Sequence, residues 1–288
     1  MENINIKFCK YILGVHRKSS NLAVCGELGR FPLLIRGLCH SFYNWQRIGE
    51  LPTDSFIKKS YVECLLFSTN KTNTYGTNMY NLLNILKQDH IWENQNQLQT
   101  CDIKSSLETK YSYGWLEAIN KPNSKLRTYS LFKTSFGLEN YIISQKLKQR
   151  RQFTKLRISS HCLHIETGRY NRPPTLPESR FCTICNNSNI EDEEHFLLHC
   201  KLYCDLRANL FKHLSEIFTF NLDKNKETFL FLMNYGKGDT ELAFLISAYI
   251  AECLKMRENH FDTIIAATTS TNRQNMKEKN KIKKIKIK

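Results

Sequence analysis

Between Arg180 and Cys200 the chain reads RFCTICNNSNIEDEEHFLLHC, and the spacing within it restricts the fold more than any other feature of the sequence. Cys182-x2-Cys185 is the separation at which two thiolates leaving one tight turn can clamp a single ion. His195 follows after nine residues and Cys200 after four more. Three sulfurs and one imidazole nitrogen make a tetrahedral Cys3His set, the donor set of structural zinc. The Asn-Asn-Ser-Asn run after the first pair suits a turn, and the acids Glu191, Asp192, Glu193 and Glu194 suit the N-terminus of a short helix that presents His195. With all four positions filled by protein atoms, such a centre is scaffold, with no open position for a reacting water. Arg180 and Lys201 would offset its net negative charge. His199 and Cys204 stand as alternative ligands, and four ordinary core residues are the competing reading.

The cluster matters because the other cysteines do not explain themselves as disulfides. The chain has eleven cysteines. Its opening stretch, MENINIKFCKYILGV, lacks a positive region followed by a clean apolar run. The longest apolar stretch, Leu242–Leu254, is shorter than the roughly 18 residues of a spanning helix and reads as a buried core helix. An intracellular, reducing compartment is expected, where gathered thiols bind metal. Cys9, Cys25, Cys39 and Cys64, widely and irregularly spaced, read as buried free thiols.

At 288 residues and 41% hydrophobic content the chain can bury a core. Its net charge of +15 favours a polyanionic partner. The last twelve residues, KEKNKIKKIKIK, hold seven lysines and one glutamate, so about +9 remains on the body.

Helical periodicity dominates and strand alternation is scarce, which predicts a mainly α fold: a helical N-terminal block over 1–95, a helical domain over 105–262 with the knuckle at 180–204, and a disordered lysine-rich tail over 263–288. Pro32 suits a helix start, after which Leu33, Leu34, Gly37, Leu38, Ser41, Phe42 and Trp45 recur as one buried face. MYNLLNILKQ can form a helix within an Asn- and Gln-rich, linker-like interval. Tyr203, Leu206, Leu210, Leu214 and Ile217 share another helical face, and a buried helix is expected over about 240–257.

A basic helix is expected from Glu139 to Ile158, with Ile143, Leu147, Phe153 and Leu156 as an imperfect apolar stripe. Within it Lys146, Lys148, Arg150, Arg151, Lys155 and Arg157 occur without an acid. They read as a strip for backbone phosphates, against the plainer alternative of a solvated helix face. Arg169, Tyr170 and Arg172 follow in the proline-rich, extended GRYNRPPTLPESR and would add contacts, Tyr170 by stacking on a base. His161, Glu166 and Arg169 read as a structural or RNA-contacting polar cluster. For His161, Cys162 and His164, adjacency in sequence does not supply the placed base and orienting group that nucleophilic catalysis needs. Gly236-Lys237-Gly238 lacks the strand and the Lys-Ser/Thr ending of a phosphate loop.

Taken together, FCKYILGVHRKSSNLAVCGELGRFPLLI, YSLFKTSFGLENYI, LRISSHCLHIETGRYNRPP and CTICNNSNIEDEEHFLLHC resemble, in order, the C-terminal region of the reverse transcriptase polyprotein of animal non-LTR retrotransposons. The resemblance spans most of residues 8–200. It implies thumb-side helices followed by a Cys-Cys-His-Cys zinc knuckle, with Cys182, Cys185, His195 and Cys200 at the metal positions. It also implies RNA or DNA as partner, and a polymerase module in the parent element. The polymerase's Tyr-x-Asp-Asp motif, which would hold catalytic metal ions, does not occur in these residues, nor does the family's endonuclease. The loop between Cys185 and His195 is longer than that of a retroviral-type knuckle. The expected function is therefore non-catalytic nucleic-acid binding by a zinc-stabilised fragment of such a polyprotein, with no enzyme activity and no membrane. A zinc-stabilised protein–protein module and a non-functional relic of a decayed element are the alternatives.

Overall fold

The computed structural model describes residues 1–68, 73–94, 100–122, 124–185, 188–217, 223–234 and 239–285, with residues 67, 68, 94, 100, 101 and 267–285 described by backbone alone. The fold is mainly α. No strand occurs among the described residues, only two isolated antiparallel bridges, Leu28 with Leu138 and Phe181 with Ile190. Contacts divide the chain into two compact units: Met1–Ile12 with Ser20–Leu138, and Leu13–Ser19 with Glu139–Lys288.

The first unit contains α1 (Glu2–Leu13), α2 (Asn21–Leu28), α3 (Leu33–Glu50), α4 (Phe56–Ser68), α5 (Tyr75–Ile85), α6 (Asp89–Asn94), α7 (Thr100–Ile119) and α8 (Tyr129–Phe132). α2 ends at Gly29, whose φ of +56° lies in the left-handed region. A Cβ there would sit 2.5 Å from the Leu138 amide nitrogen, so both conformation and space require glycine. The buried face of α3 is Ile35, Phe42 and Trp45, with Leu38 packed beside them. Leu34 and Gly37, expected on that face, point to solvent, while Ile35, which the seven-residue reading passed over, lies inside. Trp45 stacks on Trp92 with ring centroids 5.8 Å apart, and its Nε1 donates to the buried Tyr61 hydroxyl at 2.7 Å. Emptying a position such as Trp45 would remove about 3–5 kcal/mol.

The expected boundary near residue 100 is not where the chain divides. α7 packs on α3 and α2, so the first unit continues to Leu138. α5 forms where MYNLLNILKQ predicts it, with Thr74 accepting from the Thr77 amide at its start.

The second unit contains α9 (Asn140–Ser144), α10 (Leu147–Arg157), α11 (His164–Thr167), α12 (Cys204–Ile217), α13 (Lys226–Asn234) and α14 (Thr240–Ile285). The single helix expected from 139 to 158 is broken at Gln145 and Lys146, whose backbones are extended. Two bonds account for the break. Gln145 Oε1 accepts from the Ser247 hydroxyl at 3.0 Å, and Gln149 Oε1 accepts from the Lys146 amide at 3.0 Å. α10 and α12 pack on α14, whose inward side carries Leu242, Ile246, Ile250 and Cys253. Of the α12 face, Leu210 and Leu214 are buried with Tyr203, Leu206 is half-buried, and Ile217 is exposed. α14 continues to Ile285 across the segment whose composition suggests disorder. No glycine or proline interrupts residues 240–285; among the side chains described, Arg257 is the last that is buried, and Ile264 and Ile265 are exposed. Residues 286–288 and Gly236–Gly238 lie outside the described residues. Among those described, no helix is long and apolar enough to cross a membrane.

Candidate metal centre

Two local devices bring the cysteines and histidine together. The Phe181–Ile190 bridge folds the segment back on itself. The Cys182 amide donates to Asn189 O at 2.9 Å and the Glu191 amide to Arg180 O at 2.8 Å. This holds the Cys182–Cys185 turn against the chain around Asn189; Asn186 and Asn187 lie outside the described residues. Next, Asp192 Oδ1 accepts from the His195 amide at 2.8 Å. It starts a π-helical turn, His195–His199, that directs the imidazole inward. Of the four acids expected at this helix start, Asp192 caps it, whereas Glu191 and Glu193 turn into the protein. The Cys200 amide then donates to His195 O at 2.8 Å, fixing the last thiol against the histidine.

The result is a Cys3His cluster that could hold a metal ion. One donor atom from each of Cys182, Cys185, His195 and Cys200 lies within 4.8 Å of the others. Tetrahedral bonds of about 2.3 Å to sulfur would set the sulfurs about 3.8 Å apart, so closing on an ion needs a contraction of at most about 1 Å. Cys182, His195 and Cys200 are buried and Cys185 is half-buried. His195 Nε2 lies 3.4 Å from Cys185 Sγ, while its buried Nδ1 has no hydrogen-bond partner. The ring is thus committed through Nε2 to the cluster. A hydrogen bond from Cys200 holds the Cys182 thiol far below the ordinary thiol range, against burial, and the same contact pushes the Cys200 thiol up. His199 and Cys204 are exposed and stand outside the cluster.

The surroundings are fixed by buried arginines. Arg207 donates to Cys200 O at 3.0 Å and Leu197 O at 3.3 Å, and the Tyr249 hydroxyl donates to Leu197 O at 2.8 Å. Arg180 is also buried, but its guanidinium donates to the carbonyls of Thr175 and Ile165. Lys201 is exposed.

The residues read as a nucleic-acid strip separate into two groups. Lys146, Lys148 and Arg151 are exposed and Lys155 is half-buried; Lys148, Arg151 and Lys155 follow helical spacing along one side of α10. Burial, with Arg151 close by, lowers the Lys155 pKa. Arg157 is fully buried, 3.2 Å from Glu139 Oε2, with its guanidinium 5.4 Å from the Tyr141 ring centroid. Arg150 is buried and its Nε donates to Gln145 O at 3.2 Å. These two arginines hold the fold and do not face a ligand, which corrects the six-residue reading to four. Arg169 lies 3.3 Å from Glu166, whereas His161 pairs with Glu193 at 2.9 Å, so the expected His161, Glu166 and Arg169 cluster is two separate pairs. Tyr170 and Arg172 are exposed.

Sequence reading missed Arg17 and Lys18. Both are exposed, and Leu13–Ser19 belongs to the second unit. Gly14 O accepts from Arg151 Nε at 3.0 Å, Ser19 Oγ lies 2.7 Å from Ser160 Oγ, and Lys18 Nζ is 5.9 Å from the Tyr170 ring centroid. No local signal ties residues 13–19 to a segment more than 130 positions away.

Fold and site together define a mainly α protein with one Cys3His cluster among its described residues that could hold a metal ion. Comparison of the chain with protein-family models, with curated proteins and with solved structures finds no match.

Proposed function

We propose that this chain binds nucleic acid without catalysing a reaction, through the second unit, and that zinc occupies the Cys3His cluster as a structural ion. The observation that carries the reading is the side of α10 formed by Lys148, Arg151 and Lys155, with exposed Lys146 at the start of the helix. Cations in such a row bind backbone phosphates without reading sequence. Three sulfurs and one nitrogen are the zinc set, and with four protein donors the ion would carry no reacting water. The likeness to the knuckle-bearing region of non-LTR retrotransposon polyproteins supports the same reading. It makes such an element the proposed origin and its polymerase module a proposed partner.

The test is the salt dependence of affinity. Neutralising Lys146, Lys148, Arg151 and Lys155 together should reduce the slope of log K against log salt by up to about 3 for single strands, from about 0.7 per phosphate contact. An unchanged slope would remove α10 from the interface and leave the lysine tail as the binding element. One observation favours the protein–protein alternative: Ile4, Phe8 and Tyr11 form an exposed apolar row along α1. That alternative takes precedence if binding to RNA and DNA disappears once the tail is cut.

A further inference from the structure

The loop following α11 is held more firmly than its proline-rich sequence requires. Arg180, 5% exposed, donates from Nε and one Nη to Thr175 O at 3.0 and 2.7 Å, and from the other Nη to Ile165 O at 2.6 Å. The Thr175 amide donates to Gly168 O at 2.9 Å, and Asn171 Nδ2 donates to Thr175 Oγ1 at 2.8 Å. A Cβ on Gly168 would come within 2.9 Å of the Arg180 side chain, so the loop closes tightly over the guanidinium. From this fixed base Tyr170 projects 61% exposed, beside exposed Arg172 and with Lys18 near its ring. An aromatic ring left in water on a rigid loop and flanked by cations contributes little to folding.

Residues 14–18 link it to the basic helix, since Gly14 O accepts from Arg151 Nε and Lys18 Nζ lies 5.9 Å from the Tyr170 ring centroid. In a duplex every base face is covered by its neighbours, and only edges and backbone are accessible. A single strand can turn one base face onto a ring.

We infer that the second unit takes single-stranded nucleic acid in preference to duplex, with Tyr170 as the platform on which one base stacks. The inference rests on the nucleic-acid reading above and adds the strand state and the residue that selects it. RNA and DNA offer the same stacking face, so both are included in the test.

The full chain is titrated into end-labelled strands of about 16 nucleotides, RNA and DNA, and into the same DNA as duplex. Tyr170→Ala should weaken single-strand binding about 5- to 150-fold, leave duplex binding unchanged, and leave the salt slope in place, while Tyr170→Phe restores affinity. With the unaltered chain, a strand made abasic throughout should lose affinity by a similar factor, which tests stacking without any variant. Loss of single-strand and duplex affinity to the same extent, or full affinity for the abasic strand, overturns the stacking proposal alone, since a normal salt slope would still support phosphate binding. Absence of salt-dependent binding to any of the three probes overturns both.

Discussion

Arg257 of α14 closes on Glu191, the residue that begins the acidic run of the metal loop, through Nη1 to Oε1 and Nη2 to Oε2, the latter at 3.1 Å. Glu191 is the hub of that loop. Its Oε2 accepts from the His164 amide at 2.7 Å, its carbonyl accepts from the Ile165 amide at 3.1 Å, and its own amide donates to Arg180 O. Burial raises the Glu191 pKa, and the Arg257 guanidinium pulls it back down. The loop carrying the cysteines is thereby bolted to α11 and to the long helix, by bonds that involve none of the four cluster side chains.

Breaking this pair should be more damaging than deleting it. Arg257→Leu leaves a carboxylate buried without its counter-charge and should destabilise the chain by about 3–5 kcal/mol. Arg257→Leu combined with Glu191→Leu removes both charges but orphans the His164 amide, a residual loss of about 1–3 kcal/mol. Urea denaturation of the two variants measures the difference. A double variant less stable than the single one would show that Arg257 acts by packing and not by charge.

The gathering of Cys182, Cys185, His195 and Cys200 was legible in the sequence because such a spacing needs only local chain geometry to bring the four side chains together. The basic helix was only half legible. Charge counting finds six cations, but Arg150 and Arg157 are turned inward by Gln145 and Glu139, partners that a count of charges does not assign. The helix break at Gln145 depends on Ser247, about a hundred positions away. Periodicity placed Phe42 and Trp45 correctly and passed over Ile35, since an apolar residue at a boundary position fits either side of a helix. Lys18 comes near Tyr170 by tertiary structure alone.

Ligand identity has a direct readout. Cys182→Ser, Cys185→Ser, His195→Ala and Cys200→Ser should each abolish bound metal, whereas His199→Gln and Cys204→Ser should retain one ion per chain in elemental analysis. Acidification works through the same atoms. A bound ion would need thiolates and a neutral imidazole, so the bound state would hold fewer protons than the free one, and the stability it confers should be lost as pH falls. A melting temperature unaffected by chelator at neutral pH would show that no ion contributes.

The division among the basic residues separates fold from ligand binding. Arg157→Leu should unfold the chain at markedly lower urea, by about 3–5 kcal/mol, because it removes the buried guanidinium beside Glu139, itself only 4% exposed. Lys148→Gln should shift stability by less than about 0.5 kcal/mol and reduce the salt slope of nucleic-acid binding by about 0.7 for a single strand. If Lys148→Gln instead destabilised the fold as Arg157→Leu does, the assignment of α10's two sides would be reversed.

Two glycines of the first unit should respond in opposite directions to the same added methyl. At Gly26 a Cβ would meet Trp115 Cζ2 at 2.4 Å and the Tyr129 hydroxyl at 2.7 Å. Both rings are held in place, Trp115 by its Nε1 donating to Leu22 O at 2.9 Å and Tyr129 by complete burial. Neither can retreat without moving α7 or α8, and Gly26→Ala should destabilise by about 1–3 kcal/mol through overpacking. Gly37 sits inside α3 with nothing within 4 Å of its added Cβ. There alanine only narrows the unfolded ensemble and improves helix propensity, so Gly37→Ala should stabilise by about 0.5–1 kcal/mol. Thermal unfolding of the two variants decides it, and a gain in stability from Gly26→Ala would mean that Trp115 does not pack against α2.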